Sequence, residues 1–282
     1  MLAIPAVLGG AAGGARAIAL WLVPVATLLV FLAHHAIVPW AQRARERKPS
    51  PPGYAARRLG WGAAYLVGAS LVFAASVLAA TSGARGPVFA IAGVAAALAV
   101  VYALAAVYGR GRSLAAEVLG MAGVSLCGPM MAAAAGRPFD HSLFGAAALA
   151  LGYFLSSLAF VHAYEWMRER RAAAVSACVV AHLALTAALA TAASSHVVPR
   201  WWWAAFVPVA ARTAWGLARP PENLRRLGLR EIAVAVAFTL LASLALRYDE
   251  SAAADRAGTA RYQTGPASAS ATAAITPGSP IS

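Results

Sequence analysis

The apolar residues of this chain fall into long runs separated by charged residues or by Pro- and Gly-rich breaks. A helix rises 1.5 Å per residue, so about 20 apolar residues cross ~30 Å of hydrocarbon. We therefore predict an all-α fold, a polytopic membrane helical bundle of about nine transmembrane helices with the first one truncated. The predicted segments are residues 1–12, 17–41, 59–81, 87–109, 113–135, 143–167, 172–194, 201–218 and 231–248.

The two ends of the chain differ from the rest. Residues 249–282 consist mainly of Ala, Ser, Thr, Gly and Pro without apolar periodicity, which predicts a disordered tail after a transmembrane domain of residues 1–248. The first segment is too short to cross a bilayer, and no basic residue precedes it as in a signal peptide. We expect either that the true amino terminus lies upstream of Met1 or that this segment enters the bilayer only partway.

Loops with two or more basic residues alternate along the chain with loops that have only one. From the loop after the second segment onward, the counts of Lys plus Arg are 6, 1, 2, 1, 3, 1 and 4. Loops rich in Lys and Arg stay on the cytoplasmic side of a membrane. We therefore predict a multi-pass protein of the inner (plasma) membrane with a cytoplasmic amino terminus and a carboxy-terminal tail outside.

Composition narrows the class further. Hydrophobic residues make up 61% of the chain and charged residues 12%, whereas soluble domains have about 45–50% and ~25%. A net charge of +13 would suggest nucleic acid in a soluble chain, but here the basic residues lie in loops, so we expect membrane lipid as partner and no nucleic acid. Cys127 and Cys178 each lie inside an apolar run, which predicts buried free thiols.

The ionisable residues in and beside the spans lie mostly in the predicted cytoplasmic half, and His182, near the middle of its span, is the exception. Charge inside a bilayer is costly and marks functional sites. This asymmetry predicts a polar cavity open to the cytoplasm. The candidate ligand-binding residues are Arg110, Arg112, Glu117, His162, Glu165, Arg212 and Glu231.

Several candidates also have a simpler structural role. Arg212 and Glu231 flank one loop, where they can form a structural ion pair. Glu117 opens a span, where a carboxylate meets the favourable end of the helix dipole. His34 and His35 point about 100° apart on a helix, so at most one of them faces a given partner.

Sequence motifs in the last third resemble a known family. These are Phe206-x-Pro208-x-x-x-Arg212 and Leu227-Gly228-x-x-Glu231, which resemble the carboxy-terminal signature of the YwiC-like family of bacterial membrane proteins. Residues 168–171 resemble that family's basic end of the sixth helix. Residues 1–9 resemble the segment directly after the family's Glu-His-Gly-Ala-Trp opening, and this chain lacks the opening itself. The resemblance covers most of residues 1–248. The family has no established activity.

The YwiC-like family in turn is similar to the UbiA-type prenyltransferases. The similarity lies in the nine-helix count, the inside amino terminus and the cytoplasmic loops around an inward-facing cavity. Residues 108–120 resemble the passage from the fourth to the fifth helix of that superfamily, where basic residues of the loop help to hold a diphosphate. The resemblance implies a UbiA-like bundle and an isoprenoid or prenyl diphosphate as partner.

The acidic motifs of UbiA-type enzymes are missing. Those enzymes carry aspartate-rich motifs on helices two and six, because Mg²⁺ prefers carboxylate oxygens and bridges them to the diphosphate. Here the second span has no acid before Glu46, and the aspartates, predicted outside, are Asp140, Asp249 and Asp255. Glu165 and Glu169 keep the spacing of one such pair, although Glu169 among three arginines also suits a solvated charge. We expect no cofactor, with Mg²⁺ at Glu165 and Glu169 only in a divergent prenyltransferase.

The sequence leads to three functional hypotheses, none of which assigns a catalytic residue. The leading one is a multi-pass membrane protein of the YwiC-like type whose cytoplasm-facing polar cavity binds an isoprenoid or anionic lipid, with Arg110, Arg112 and Arg212 contacting the anion. The alternatives are a divergent UbiA-type membrane prenyltransferase and a small-solute transporter. The spans show no inverted repeat and few polar residues in their outer halves, which counts against a transporter.

Overall fold

The computed structural model describes residues 2–13, 18–219 and 224–263, and over these ranges the regular elements are all helical. The helices are α1 Ala3–Gly13, α2 Ile18–Arg45, α3 Tyr54–Ala79, α4 Ser82–Val107, α5 Leu114–Ser125, α6 Cys127–Ala134, α7 Gly145–Ser194, α8 Trp202–Ala218 and α9 Leu224–Gln263. Seven stretches within them are long and apolar enough to cross a membrane. The prediction of an all-α membrane bundle is therefore confirmed.

The nine predicted segments correspond to these helices with two differences. One predicted segment comprises both α5 and α6, and two predicted segments lie in α7. α5 and α6 form one crossing, Leu114–Ala134, which is broken near Leu126. Pro129 explains the break, because it lacks the N–H that a continuous helix would use at that position. α7 contains two crossings, Gly145–Trp166 and Arg171–Ser194, on either side of a kink at Arg170 with φ −140° and ψ 62°.

The short helix α1 lies between the two halves of the bundle. Its 11 residues correspond to about 16 Å, which is too short to cross a bilayer. Ile4 and Leu8 join the buried core formed with α7, α8 and α9. Ala6 joins the core formed with α2, α3, α4 and α6. The truncated first helix predicted from the sequence is thus a buried element that connects both cores.

Glycines bring the backbones of α1 and α6 into contact. A Cβ placed on Gly9 would lie 2.7 Å from the carbonyl oxygen of Gly128 and 3.0 Å from Cβ of Met131. A Cβ placed on Gly128 would lie 3.3 Å from the carbonyl oxygen of Pro5. Small residues allow this close approach, which is typical of helix packing within membranes. The position of α1 therefore depends on the absence of side chains at this crossing.

Several helix boundaries differ from the sequence prediction. α2 ends at Arg45 rather than at 41, and α4 begins at Ser82 rather than at 87. α3 begins at Tyr54 and α9 at Leu224, before the predicted 59 and 231. The added turns carry basic residues, which end an apolar run in the sequence without ending the helix. α9 also continues to Gln263, past the domain boundary predicted at residue 248, through an Ala-rich stretch of high helix propensity. The remainder of the predicted tail, 264–282, lies outside the described residues.

Contacts between helices place the strongly basic loops at one end of the bundle. Gln42 Nε2 donates to the carbonyl oxygen of Ala106 at 2.6 Å, so the end of α2 lies beside the end of α4. Glu117 near the start of α5 contacts His162 of α7 at 3.0 Å. The alternation of basic loops in the sequence is therefore matched by a bundle with one basic end.

Candidate functional site

A buried ion pair joins α8 to α9. The Arg212 side chain is only 4% exposed, and its Nη1 donates to both carboxylate oxygens of Glu231, at 2.7 and 2.8 Å. Charge-assisted hydrogen bonds of this kind are among the strongest in proteins, and they offset the cost of burying the guanidinium. The structural ion pair considered for these two residues is confirmed.

α7 supplies the polar side chains around this ion pair. Arg212 Nη2 donates to Ser156 Oγ at 3.3 Å, and Ser157 Oγ donates to Glu231 Oε2 at 3.4 Å. The Tyr153 hydroxyl donates to the main-chain oxygen of Glu231 at 3.4 Å. Tyr153, Ser156 and Ser157 are three and four residues apart and so share one face of α7. Arg212 Nε has no hydrogen-bond partner among the described residues.

An aromatic ring covers the guanidinium of Arg212. The Arg212 Cζ lies 4.6 Å from the centre of the Phe160 ring, which is 1% exposed. Gly216, one turn after Arg212, leaves room for that ring, because a Cβ there would collide with it. A cation above a desolvated aromatic face is favourable by about 2 kcal/mol. The ring and the carboxylate together keep the charge away from lipid.

His182 belongs to the same polar network, although the sequence prediction set it apart. Its Nδ1 lies 2.8 Å from the Cys178 carbonyl oxygen, which only accepts, so Nδ1 carries a proton. Its Nε2 lies 2.8 Å from Ser156 Oγ and 3.2 Å from Thr213 Oγ1. The sequence prediction thus missed His182, Ser156 and Thr213 as members of one network. The only indication of them in the sequence is that they are polar residues inside apolar helices.

A second pair joins α5 to α7. His162 Nε2 lies 3.0 Å from Glu117 Oε2, and both side chains are about 30% exposed (31% and 28%). Glu117 is in the first turn of α5, where the helix dipole favours a carboxylate. The hydrogen-bonding cap is Ser113, whose side chain accepts from the Ala116 amide at 3.4 Å. Glu117 therefore combines its position at the helix start with a contact to α7.

The remaining candidates lie outside these two pairs. Arg110 and Arg112 are exposed in the turn between α4 and α5, and Glu165 is exposed on α7. The side chain of Glu169 lies outside the described residues. Within the described part of the chain, no three His, Cys, Asp or Glu side chains come close enough to hold a metal ion. The alternative magnesium site at Glu165 and Glu169 stays a prediction.

The other residues singled out from the sequence pack against neighbours. His34 stacks on Tyr102 with ring centres 5.0 Å apart, whereas His35 meets the edge of Phe31 at 4.4 Å. The two imidazoles thus have different partners, as their angular separation predicts. Both cysteines are free and buried, which confirms the prediction for them.

One comparison with known proteins gives a match. Residues 1–133 match the family model described as YwiC-like protein. No curated protein and no solved structure matches the chain. The matched residues extend from α1 to the penultimate residue of α6 and include Arg110, Arg112 and Glu117. The match ends before the motifs at 206–212 and 227–231, and the relation to UbiA-type enzymes stays a prediction. Over its first 133 residues, the chain is similar to the YwiC-like proteins, as the sequence resemblance predicted.

Proposed function

We propose that this membrane protein binds an anionic isoprenoid lipid of the prenyl diphosphate type at the basic end of its bundle. The observation that carries the proposal is that Arg45, at the end of α2, lies beside the turn between α4 and α5, which carries Arg110 and Arg112. A diphosphate needs several cations, and guanidinium groups bind phosphate oxygens through two parallel hydrogen bonds.

The geometry of this turn brings two loops together. Arg45 Cζ lies 5.6 Å from the centre of the Tyr108 ring. Gly109 has φ 76°, and a Cβ placed on it would lie 3.9 Å from Arg45 Nη2. Arg45 from the end of α2 therefore reaches the residue directly before Arg110. Only a residue without a side chain fits this left-handed turn easily.

The charges at this turn are poorly compensated. Arg110 and Arg112 are exposed and make no side-chain hydrogen bond or ion pair with the described residues. Glu46 lies 3.8 Å from Arg45 but only 2.6 Å from Lys48, which lowers the pKa of the Glu46 carboxyl by hydrogen bonding. Arg212, by contrast, is neutralised by Glu231. We therefore assign the anion contacts to the arginines of the turn and assign Arg212 to the fold.

The test is equilibrium binding of geranylgeranyl diphosphate to purified protein in detergent. The double variant Arg110→Ala/Arg112→Ala is expected to weaken binding about 100-fold, because each charge-assisted hydrogen bond contributes about 1.5–3 kcal/mol. Arg85→Ala is the matched control, since Arg85 is an exposed arginine at the opposite end of the bundle. Geranylgeraniol, which lacks the diphosphate, is expected to bind weakly to every variant.

Unchanged affinity in the double variant would overturn this proposal. Repeating the binding assay with and without Mg²⁺ distinguishes this proposal from the prenyltransferase alternative. Arginine-based binding is expected without the metal. Strict dependence on Mg²⁺, lost in Glu165→Gln, would support a divergent transferase instead.

The proposal requires the basic end to face the cytoplasm, and cysteine labelling tests this orientation. The native thiols are buried, so they give little background with a membrane-impermeant maleimide. In intact spheroplasts, Arg85→Cys is expected to react and Arg110→Cys to react only after permeabilisation, because basic loops remain inside. The reverse labelling pattern would place the amino terminus outside and the arginine turn away from the cytoplasm.

A further inference from the structure

We infer that a second site, between α2 and α3, binds the headgroup of an anionic glycerophospholipid from the surrounding bilayer. The site is a groove of about 440 Å³. Tyr54, Arg57 and Arg58 line its polar end, and Leu32, Trp61 and Tyr65 line its apolar end. It is formed by other residues than the α4–α5 turn and does not depend on the isoprenoid proposal.

The groove is cationic at one end and apolar at the other, which matches the headgroup and the acyl chains of an anionic phospholipid. Tyr54 is the first residue of α3, and Arg57 and Arg58 follow within about one turn. Tyr65 lies 11 residues after Tyr54, which corresponds to about 16 Å further along the helix. Cationic groups thus lie at the level of the phosphates, whereas aromatic and aliphatic side chains lie at the level of the acyl chains.

No acidic side chain of the described residues neutralises the two arginines at the mouth. Arg58 Nη1 donates to the His35 carbonyl oxygen at 3.3 Å, and its Cζ lies 5.4 Å from the centre of the Tyr54 ring. Arg57 is exposed and has no side-chain hydrogen bond or ion pair with the described residues. No acidic side chain of the described residues lines the groove. The positive charge of the mouth is therefore available for a phosphate.

The groove opens toward lipid. α3 packs chiefly against α2, and Trp61, Val67 and Leu71 are 57%, 59% and 66% exposed. A membrane-crossing helix with this surface faces acyl chains, so the molecule that meets the groove is a lipid rather than a soluble phosphate. An anionic headgroup fits better than a zwitterionic one, because the latter would bring its own cation to two arginines.

Lipid retention measures the preference directly. The purified protein is equilibrated in detergent with equal amounts of phosphatidylglycerol and phosphatidylcholine, and bound lipids are counted by native mass spectrometry. Arg57→Gln/Arg58→Gln is expected to lower phosphatidylglycerol retention at least tenfold, since each arginine near an anionic headgroup contributes about fivefold. Phosphatidylcholine retention is expected to stay unchanged, and Arg57→Lys/Arg58→Lys to restore most phosphatidylglycerol.

Three further variants decide the outcome. Arg85→Gln removes an exposed arginine at the opposite end of the bundle and is expected to have no effect. An equal loss there would overturn the inference, because it would reflect net charge alone. The single variant Arg57→Gln disturbs no described side-chain hydrogen bond or ion pair. It replaces the double variant in this test if the double variant fails to fold. Unchanged retention in the double variant, or in folded Arg57→Gln if the double variant does not fold, would also overturn it. Arg110→Ala/Arg112→Ala is expected to leave this lipid in place, which keeps the two sites distinguishable.

Discussion

Arg212→Ala is expected to lower the free energy of unfolding by about 3–5 kcal/mol, because it leaves the carboxylate of Glu231 without its partner inside the bundle. Glu231→Ala is expected to cost a similar amount, since the remaining guanidinium is almost fully buried. The measurement is thermal unfolding of the purified protein in detergent, followed by the loss of monodisperse elution.

The double variant Arg212→Leu/Glu231→Leu separates charge from packing. With both charges gone, neither is left unpaired, so its stability is expected within about 2 kcal/mol of the original protein. Arg219→Ala is the matched control on the same chain, because Arg219 is exposed and only its contact with the Trp215 ring is lost. A small cost of either single change would show that the pair does not hold α8 to α9.

Gly9→Ala is expected to destabilise the protein by about 3 kcal/mol, since the added Cβ meets backbone atoms of Gly128 rather than a side chain that can move. α1 must shift to accommodate it, and the shift disturbs Leu8 and the other residues by which α1 joins both cores. The readout is the same thermal unfolding series, together with the fraction of protein that inserts into membranes.

Gly93→Ala provides a control with the opposite expected sign. Gly93 lies within α4, and no described atom of another helix lies within 4 Å of the position of an added Cβ. Alanine in the interior of a helix is favoured over glycine by about 0.5–1 kcal/mol. Equal effects of the two substitutions would contradict the close crossing of α1 and α6.

The number and type of the helices were predictable because the thickness of the hydrocarbon core sets the length of an apolar run. Helix ends were less predictable, since basic residues end an apolar run without ending the helix. Arg57 and Arg58 show this: they resemble loop residues in the sequence but are the fourth and fifth residues of α3. At Arg170 only a single residue leaves the helical conformation within a basic run that is typical of a loop.

The contacts of the polar residues were likewise predictable from the sequence in one case and not in another. Arg212 and Glu231 face each other across one short loop, so their pairing follows from sequence distance. His182 meets Ser156 and Thr213 from other parts of the fold, and that contact depends on how each helix is rotated about its axis. Ala-rich helices carry little amphipathic signal for such a rotation, which is why His182 was set apart in the sequence prediction.

A continuous series of hydrogen bonds runs from Arg212 through Ser156 and His182 to the Cys178 carbonyl oxygen. Arg212 donates to Ser156, and Nδ1 of His182 donates to Cys178; in the neutral imidazole with its proton on Nδ1, the Ser156 hydroxyl donates to Nε2. A guanidinium can only donate and a carbonyl oxygen can only accept, so both ends of this series have a fixed direction, and hydrogen bonds connected in series polarise one another. The effects of substitutions at Arg212, Ser156 and His182 on stability are consequently expected to be strongly non-additive, because the three side chains act as one cooperative hydrogen-bond network.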